Sequence, residues 1–305
     1  MDLNALYHRT VESWAIRVNC VAEDQWDDPT PCAGWSVRDL VNHVVGEDRW
    51  TVPLLEGQRI EQVGSRFEGD LLGPDPIASA LEAAKEAVSV VARRLPQGGT
   101  VHLSYGDEEA SEYVWQLAAD HLVHGWDLAA ATGGDTRLDP HLVSEVANWF
   151  ANREELYRSS GAVGPRTALA GDAQVDLLAA FGRRAHWGKN DAVLARFSDA
   201  FATKDVDAIM ALMTADCVFE ATSPAPDGQR HEGAAAVREV WEQLFTATSE
   251  ASFIAEEAIV CEDRGVLRWR FSWTEPDGSP GHVRGVDLLR FRDGKVSEKL
   301  SYVKG

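Results

Sequence analysis

The first half of the chain carries apolar residues at the spacing of amphipathic helices. Leu6, Val11, Trp14 and Val18 recur on one face of a first predicted helix, so that face is expected to be buried. Capping residues, prolines and glycines mark where the later periodic stretches begin and end. The predicted helices span about residues 4–21, 36–55, 75–95, 109–131 and 140–158. This pattern predicts an all-α domain.

The pattern changes after Trp187, where helical periodicity gives way to apolar strands. Strands are predicted over residues 252–262, 264–274 and 282–292, which are rich in Val, Ile, Leu, Phe and Trp. Helices are predicted before them, at about residues 192–203, 206–213 and 234–245. Helices followed by antiparallel hairpins are typical of an α+β domain. The sequence therefore predicts two domains, residues 1–187 and 188–305, and the length of 305 residues favours the same division.

Composition and charge narrow the class of partner. The formal net charge is -20 and no basic run offsets it, so nucleic acids and anionic membranes are not expected to bind. No apolar stretch approaches the roughly 18 residues of a membrane span, and the first residues do not have the pattern of a secretion signal. The four cysteines lie far apart, as in proteins of a reducing compartment. We therefore expect a cytoplasmic protein with a small-molecule substrate or ligand.

Two residues of the fourth predicted helix, Asp120 and His124, indicate a buried polar site. They are four residues apart, so both side chains lie on one helical face, which is otherwise apolar. A cation is an effective partner for such groups, and His43 on another helix can supply a third ligand. By spacing alone, His121, His102 and His8 are candidate substitutes. An alternative is open at this point: Asp120 and His124 form an internal ion pair, and His43 pairs with Asp39 or Glu47 on its own helix.

Three segments of the first half carry a resemblance to a known family. They are residues 31–46 (PCAGWSVRDLVNHVVG), residues 120–129 (DHLVHGWDLA) and residues 177–184 (LLAAFGRR) with Trp187. Residues 1–187 resemble the actinobacterial DinB-like group that contains the N-terminal domain of mycothiol-dependent maleylpyruvate isomerase. The resemblance implies a DinB-like four-helix bundle that binds a divalent metal ion.

The same resemblance implies the ligands of that metal. The family's histidine and its carboxylate-x-x-x-histidine pair fall on His43, Asp120 and His124. Zinc is the first expectation for such a set, with nickel, iron or manganese as alternatives. A low-molecular-weight thiol, mycothiol in the named isomerase, is the cofactor that the resemblance suggests. Asp120 stands where the isomerase has glutamate, and the isomerase's own C-terminal domain is missing, so the substrate does not carry over.

Four segments of the second half form another resemblance. They are residues 197–201 (FSDAF), 205–213 (DVDAIMALM), 216–219 (DCVF) and 285–296 (GVDLLRFRDGKV). Residues 188–305 resemble SnoaL-like members of the nuclear transport factor 2 superfamily. That resemblance implies a cone-shaped α+β barrel around an apolar cavity, and a homodimer formed through the open face of the sheet. It does not assign a function, because cyclases, isomerases and binding modules share this fold.

One ionisable residue, Asp287, is predicted on the apolar face of a strand. Alternation over residues 282–292 places it on the same side as Leu289. A carboxyl group in an apolar cavity can transfer protons, so Asp287 is the candidate catalytic acid or base. A purely structural hydrogen-bonding role is the alternative. Epoxide-hydrolase chemistry is set aside, because the strand that would need an Arg-x-Asp sequence carries Arg268-Trp-Arg270 instead.

The leading functional hypothesis is a metal-dependent enzyme that acts on a small electrophilic metabolite by thiol-assisted isomerisation or transfer. Two alternatives are open. A cyclase or isomerase of polyketide-like compounds would use the C-terminal cavity. A non-catalytic protein would sequester a small apolar molecule in that cavity for self-protection.

Overall fold

The chain folds into two compact units. The computed structural model describes residues 1–161, 163–167, 169–248, 250–275 and 277–304. Residue contacts within the chain define one unit from Met1 to Ala185 and another from His186 to Gly305. The boundary predicted from the sequence, after residue 187, lies two residues later. The first unit is helical and the second is rich in sheet, which confirms the predicted fold class. Within the described residues, no helix has both the length and the apolarity needed to cross a bilayer.

The N-terminal unit consists of helices and a short hairpin. In chain order its elements are α1 (Leu3–Val18), α2 (Val37–Leu55), α3 (Ile60–Val63), α4 (Pro76–Arg94), β1 (Thr100–Leu103), β2 (Gly106–Glu109), α5 (Ala110–Thr132), α6 (Pro140–Ala151), α7 (Glu154–Ser159) and α8 (Ala173–Ala180). Helices α1, α2, α4 and α5 pack on one another and form a four-helix bundle. Trp14, Leu40, Val44 and Leu128 belong to its buried core.

The start of α2 follows from its sequence. The Ser36 side chain accepts a hydrogen bond from the Asp39 backbone N–H, and the Asp39 carboxylate accepts one from the Ser36 backbone N–H. This capping box satisfies backbone donors that the first turn of a helix leaves without partners. His43 lies about two turns further along, on the side of α2 that faces α5.

The connections of this unit differ from the predicted ones. The predicted helix over residues 140–158 is two helices, because α6 ends at Ala151 and α7 begins at Glu154. The hairpin β1–β2 and helix α8 lie in segments to which the sequence pattern assigned no element. Each of these elements is short, so its periodicity is too weak to be distinguished from that of a loop.

The C-terminal unit combines helices with one curved sheet. In chain order its elements are α9 (Lys189–Ala202), α10 (Val206–Ala211), β3 (Met213–Glu220), β4 (Arg230–Glu232), α11 (Ala234–Ala247), β5 (Ser252–Cys261), β6 (Arg264–Thr274), β7 (Pro280–Arg292) and β8 (Lys295–Val303). The strands are ordered β4-β3-β8-β7-β6-β5. Strands β3 and β8 are parallel, and the other neighbours are antiparallel.

Helices α9 and α11 cover one face of this sheet. Phe197 and Trp241 from the helices pack there against Leu267 and Phe291 from the strands. Along β7, burial alternates as the sequence pattern predicts, and Asp287 lies on the buried face with no exposed surface. The fold therefore places the Asp287 carboxyl group on the buried face of the sheet, where Lys299 and Ser301 are also buried.

Candidate functional site

The helical bundle brings together the three predicted metal ligands. His43 comes from α2, and Asp120 and His124 lie one turn apart on α5. His43 Nε2 is 3.4 Å from Asp120 Oδ2, and His124 Nε2 is 3.3 Å from Asp120 Oδ1. One ligand atom from each of the three residues lies within 4.8 Å of the others. The packing of α2 on α5 thus places two imidazole nitrogens around one carboxylate.

The two distances, which run to different oxygens of the carboxylate, are close to those between neighbouring ligands of one cation. Ligands bound about 2.0–2.1 Å from a tetrahedral zinc ion lie about 3.4 Å apart, whereas a direct charged hydrogen bond is usually shorter. Asp120 Oδ2 is buried and makes no hydrogen bond of acceptable geometry among the described residues. The side chains of His43 and Asp120 remain 31% and 27% exposed, so the site is open to small molecules. Two imidazoles and one carboxylate leave coordination positions free.

A second group of residues fixes the orientation of His124. Its Nδ1 atom lies 2.9 Å from Asp127 Oδ2, so an Nδ1–H would donate to that carboxylate and leave the Nε2 lone pair facing Asp120. Arg183 holds Asp127 in turn, with Nε 3.1 Å from Oδ1 and Nη2 2.8 Å from Oδ2. The Trp35 ring stacks on the His124 imidazole at 6.1 Å between centroids. A carboxylate that accepts from one ring nitrogen in this way fixes the orientation of the imidazole and the nitrogen that its other side presents.

Cys32, His124 and Asp127 form another cluster with metal-ligand chemistry. Cys32 Sγ lies 3.3 Å from Asp127 Oδ2, and Arg183 Nη2 lies 3.2 Å from the same sulfur. The guanidinium group therefore already supplies a positive charge to both the thiol and the carboxylate. A divalent ion placed there would be repelled by Arg183, so this cluster is better suited to orienting His124 than to holding a metal.

The charges of the three predicted ligands are strongly coupled. Burial opposes ionisation of Asp120, but the His124 and His43 imidazoles outweigh it and hold the pKa of that carboxyl well below its usual range. Burial likewise opposes protonation of His124, but Asp120 raises the pKa of that imidazole well above its usual value. The same balance of burial and Asp120 raises the pKa of His43. The carboxylate thus favours any positive charge in this site, whether protons or a metal ion.

A cavity of about 320 Å³ adjoins the three residues. Aromatic side chains form much of its wall, together with two charged residues; the aromatic residues are Tyr105, Tyr113, Trp149, Tyr157 and Phe181, and the charged ones are Glu47 and Arg183. Burial, together with the nearby Asp120 carboxylate, raises the pKa of Glu47. The cavity has the size and mixed lining of a site for a small polar metabolite.

Among the described residues, His43 forms its ion pair with Asp120 and not with Asp39 or Glu47, and Asp39 is engaged in the capping box of α2. Asp120 also forms the ion pair with His124 that the alternative interpretation expected. Sequence reasoning did not find Asp127 and Arg183. The three-residue spacing of His124 and Asp127 was a usable signal for the first of them, since such pairs share a helix face. No local signal marks Arg183, which lies 56 residues further along the chain.

The C-terminal unit contains its own cavity, of about 390 Å³. Asp287 lies behind the wall rather than in it, because the Ser301 hydroxyl donates to Asp287 Oδ1 at 2.7 Å and Lys299 Nζ is 3.0 Å from Oδ2. Lys299 and Ser301 both line the cavity. Arg268 does not line this cavity. Its side chain is exposed and forms ion pairs with Glu256 and Glu257 of β5.

Two family models match this chain. Residues 7–129 match the mycothiol maleylpyruvate isomerase N-terminal domain, a segment that includes His43, Asp120 and His124. Residues 194–299 match the SnoaL-like domain, a segment that includes Asp287.

Among curated relatives, two proteins of Mycobacterium tuberculosis are 35% identical to this chain over 150 residues. They are described as the uncharacterized proteins MT0763 of strain CDC 1551 and Rv0738 of strain H37Rv. In both cases the match covers 48% of this chain and 75% of the relative.

Among solved structures, an NTF2-like protein of unknown function from Mesorhizobium loti is 39% identical, with a TM-score of 0.35. The match covers 38% of this chain and 92% of that chain. A protein of Jannaschia sp. CCS1 assigned as a SnoaL-like polyketide cyclase is 21% identical, with a TM-score of 0.34, and the match covers 38% and 85% of the two chains. Through residues 7–129 the chain belongs to the mycothiol maleylpyruvate isomerase N-terminal domain family, and at residues 194–299 it carries a SnoaL-like domain.

Proposed function

We propose that the helical unit binds one divalent metal ion through His43, Asp120 and His124 and acts on a small electrophilic metabolite held in the adjacent cavity. The observation that carries the proposal is the Asp120 carboxylate between two imidazole Nε2 atoms at 3.3 and 3.4 Å, with its Oδ2 atom buried and without a hydrogen bond among the described residues. The family match supports it, because it covers all three residues. Zinc is the ion that this donor set favours.

When bound, such an ion lowers the pKa of a coordinated thiol or water, or polarises a carbonyl group. The chain's own residues prepare this chemistry. Asp127 and Arg183 hold His124 so that its Nε2 lone pair faces the site. Trp35 packs against His43 at 5.0 Å between ring centroids and limits the rotation of that imidazole. The donor atoms are therefore positioned before any ligand arrives, which reduces the cost of binding.

The reaction class that we propose is isomerisation or group transfer with a low-molecular-weight thiol, mycothiol being the thiol that the matched family's name supplies. Isomerisation of this kind needs a thiolate that adds to an electrophilic carbon and later leaves it, so no oxidant or reductant is consumed. His43 and Asp120 are both partly exposed, so a thiol from solution would be able to reach an ion that they held. Water activation in the same site would give hydrolysis instead.

Metal content tests the proposal directly. Protein purified without chelator and without metal-affinity resin is expected to contain about one divalent ion per chain by elemental mass spectrometry. Zinc is expected to predominate and to raise the melting temperature of protein that was first stripped with a chelator. The proposal is wrong if the protein stays metal-free after incubation with zinc and melts identically with and without it.

Cobalt substitution tests the thiol part separately. Co²⁺ in place of zinc reports its ligands by absorbance, and a coordinated thiolate adds a sulfur-to-cobalt charge-transfer band in the near ultraviolet. We expect mycothiol to produce this band in the Co²⁺-loaded protein, because an open metal site deprotonates a coordinated thiol near neutral pH. The S-methylated thiol serves as the control and should give no band. A stoichiometric metal without any thiol band would retain the metal site and reject the thiol cofactor.

A further inference from the structure

The cavity of the C-terminal unit has an aromatic wall and a buried cation. Its volume is about 390 Å³, and the rings that line it are Phe201, Phe219, Phe253, Trp269 and Phe271. Lys299 of β8 lies among them with only 5% of its surface exposed. Its Nζ atom is 5.2 Å from the centroid of Phe201 and 5.0 Å from that of Phe219. Burying an ammonium group in such surroundings is costly unless it is paired.

Asp287 and Ser301 provide that pairing. Lys299 Nζ donates to Ser301 Oγ at 2.7 Å and lies 3.0 Å from Asp287 Oδ2, and Ser301 Oγ donates to Asp287 Oδ1 at 2.7 Å. Two members of this group of three side chains, Lys299 and Ser301, line the cavity, and Asp287 lies behind them. The positive charge of Lys299 and the negative charge of Asp287 cancel, so this group has no net charge.

Lys299 keeps at least one donor for an occupant. An ammonium group has three N–H donors, and one of them is donated to Ser301 Oγ. Asp287 Oδ2 forms an ion pair with Nζ at 3.0 Å, without a hydrogen bond of acceptable geometry among the described residues. Among the residues that the structure describes, no third oxygen acceptor lies within hydrogen-bonding distance of Nζ. Because Lys299 lines the cavity and Asp287 does not, an N–H of Lys299 is the charged donor that a bound molecule would meet. The neutral polar side chains in the lining are those of Thr222, Ser223, Gln243 and Ser301.

We propose that this cavity binds a neutral, largely aromatic molecule through a carbonyl oxygen that accepts a hydrogen bond from Lys299 Nζ. A carbonyl group uses the free donor without adding charge. A carboxylate would bring a second negative charge close to Asp287, in apolar surroundings that offer only one cation for the two anions. A pure hydrocarbon would leave the N–H without a partner. The volume suits a molecule of two or three rings.

The site does not depend on the metal proposed for the helical unit, and it concerns binding whether or not the cavity also catalyses a reaction. It changes the role expected from the sequence. Asp287 would hold and neutralise Lys299, and Lys299 rather than Asp287 would contact the ligand. The Lys299–Asp287 pair would determine ligand specificity, because its balanced charge favours a neutral carbonyl group over a carboxylate.

Three naphthalene probes test the chemical class in the wild-type protein. They share one ring system and carry a ketone (2-acetylnaphthalene), no oxygen (2-ethylnaphthalene) or a carboxylate (2-naphthoate). Binding is measured by titration calorimetry or by the change in tryptophan fluorescence. We expect the ketone to bind at least about tenfold more tightly than either other probe, the ratio that one charge-assisted hydrogen bond provides. Equal affinities, tightest binding of 2-naphthoate or no binding at all would each overturn the proposal.

Two variants test whether the Lys299–Asp287 pair causes the preference for the ketone. The double variant Lys299→Met/Asp287→Asn removes both charges at similar volume, so neither is left alone in the core. The ketone should lose its advantage of about tenfold in this variant, while 2-ethylnaphthalene binding changes less than about twofold. The single variant Asp287→Asn leaves the ammonium without its counter-charge, so 2-naphthoate should become the tightest of the three probes. A ketone preference that survives in both variants would show that Lys299 is not the donor.

Lys295→Met is the matched control, because Lys295 is exposed on the same strand and outside the cavity lining. Its probe affinities should equal those of the wild type. Circular dichroism and thermal melting establish that each variant folds. If a variant does not fold, the three-probe comparison in the wild-type protein still decides the question, because it requires no substitution.

Discussion

Replacing His124 by alanine is expected to reduce the metal content of the purified protein from about one ion per chain to a trace. Loss of a hydrogen-bond partner behind a metal ligand already costs about 10- to 100-fold in affinity, so loss of the ligand itself should cost more than about 100-fold. The helix should persist, because alanine has the highest helix propensity and His124 lies in the middle of α5 rather than at a cap. Elemental analysis and circular dichroism of the same sample measure both effects.

Zinc should correspondingly lose its stabilising effect on the His124→Ala variant. Zinc at about 100 times its dissociation constant should stabilise the wild type by about 2.7 kcal/mol, whereas a variant without the site gains nothing. His141→Ala is the control, since His141 lies on α6 of the same unit, is half exposed and pairs only with Glu145 among the described residues. Asp120→Glu should retain the ion, because the resemblance to the maleylpyruvate isomerase implies that a longer carboxylate can serve at that position. Full metal content in His124→Ala would refute the ligand assignment.

Replacing Asp127 by asparagine is expected to weaken zinc binding by about 10- to 100-fold while leaving one ion per chain at saturating zinc. Asparagine keeps the shape and can still accept from His124 Nδ1, but it removes the negative charge that strengthens that hydrogen bond. Arg183 also loses its charged partner, so some loss of stability accompanies the change. Competition with a chelator of known zinc affinity measures the dissociation constant, and circular dichroism checks the fold.

The variant Cys32→Ser tests whether the cluster of Cys32, His124 and Asp127 orients His124 or binds the metal ion directly. If the ion sits between His43, Asp120 and His124, serine at position 32 should leave its stoichiometry unchanged, because the described side-chain partners of Cys32 Sγ are Asp127, His124 and Arg183 and do not include His43 or Asp120. If the ion instead uses the cluster of Cys32, His124 and Asp127, both Cys32→Ser and Asp127→Asn should abolish binding, and Asp120→Asn should not. The two groupings therefore predict opposite patterns across the same three variants.

Much of the helical unit and its site was predictable from local patterns. Asp120 and His124 share a helix, and their separation of four residues determines that they share a face, whatever the rest of the chain does. The capping box at Ser36 likewise depends on neighbours in sequence. His43 was one of several candidate histidines until the family resemblance selected it, because nothing in its own helix indicates which other helix it will face.

The side chains that complete each site were not predictable in this way. Arg183 reaches Asp127 across 56 residues, and Lys299 and Ser301 of β8 reach Asp287 of β7 through strand pairing. The alternation along β7 predicted that Asp287 faces inward, but it could not supply its partner. A charged residue inside an apolar strand pattern can be seen in the sequence. The residue of opposite charge that lies beside it depends on the register between neighbouring strands, which the sequence pattern does not show.

The sequence by itself therefore determined the two-part architecture, the helices of the bundle, the shared face of Asp120 and His124 and the inward direction of Asp287. These properties follow from periodicity and spacing over a few residues. Only the tertiary structure decided that His43 faces Asp120, that Asp127 and Arg183 orient His124, and that Lys299 rather than Asp287 meets the cavity. Contacts of that kind depend on how helices pack and how strands align over long separations, and no local pattern encodes those distances.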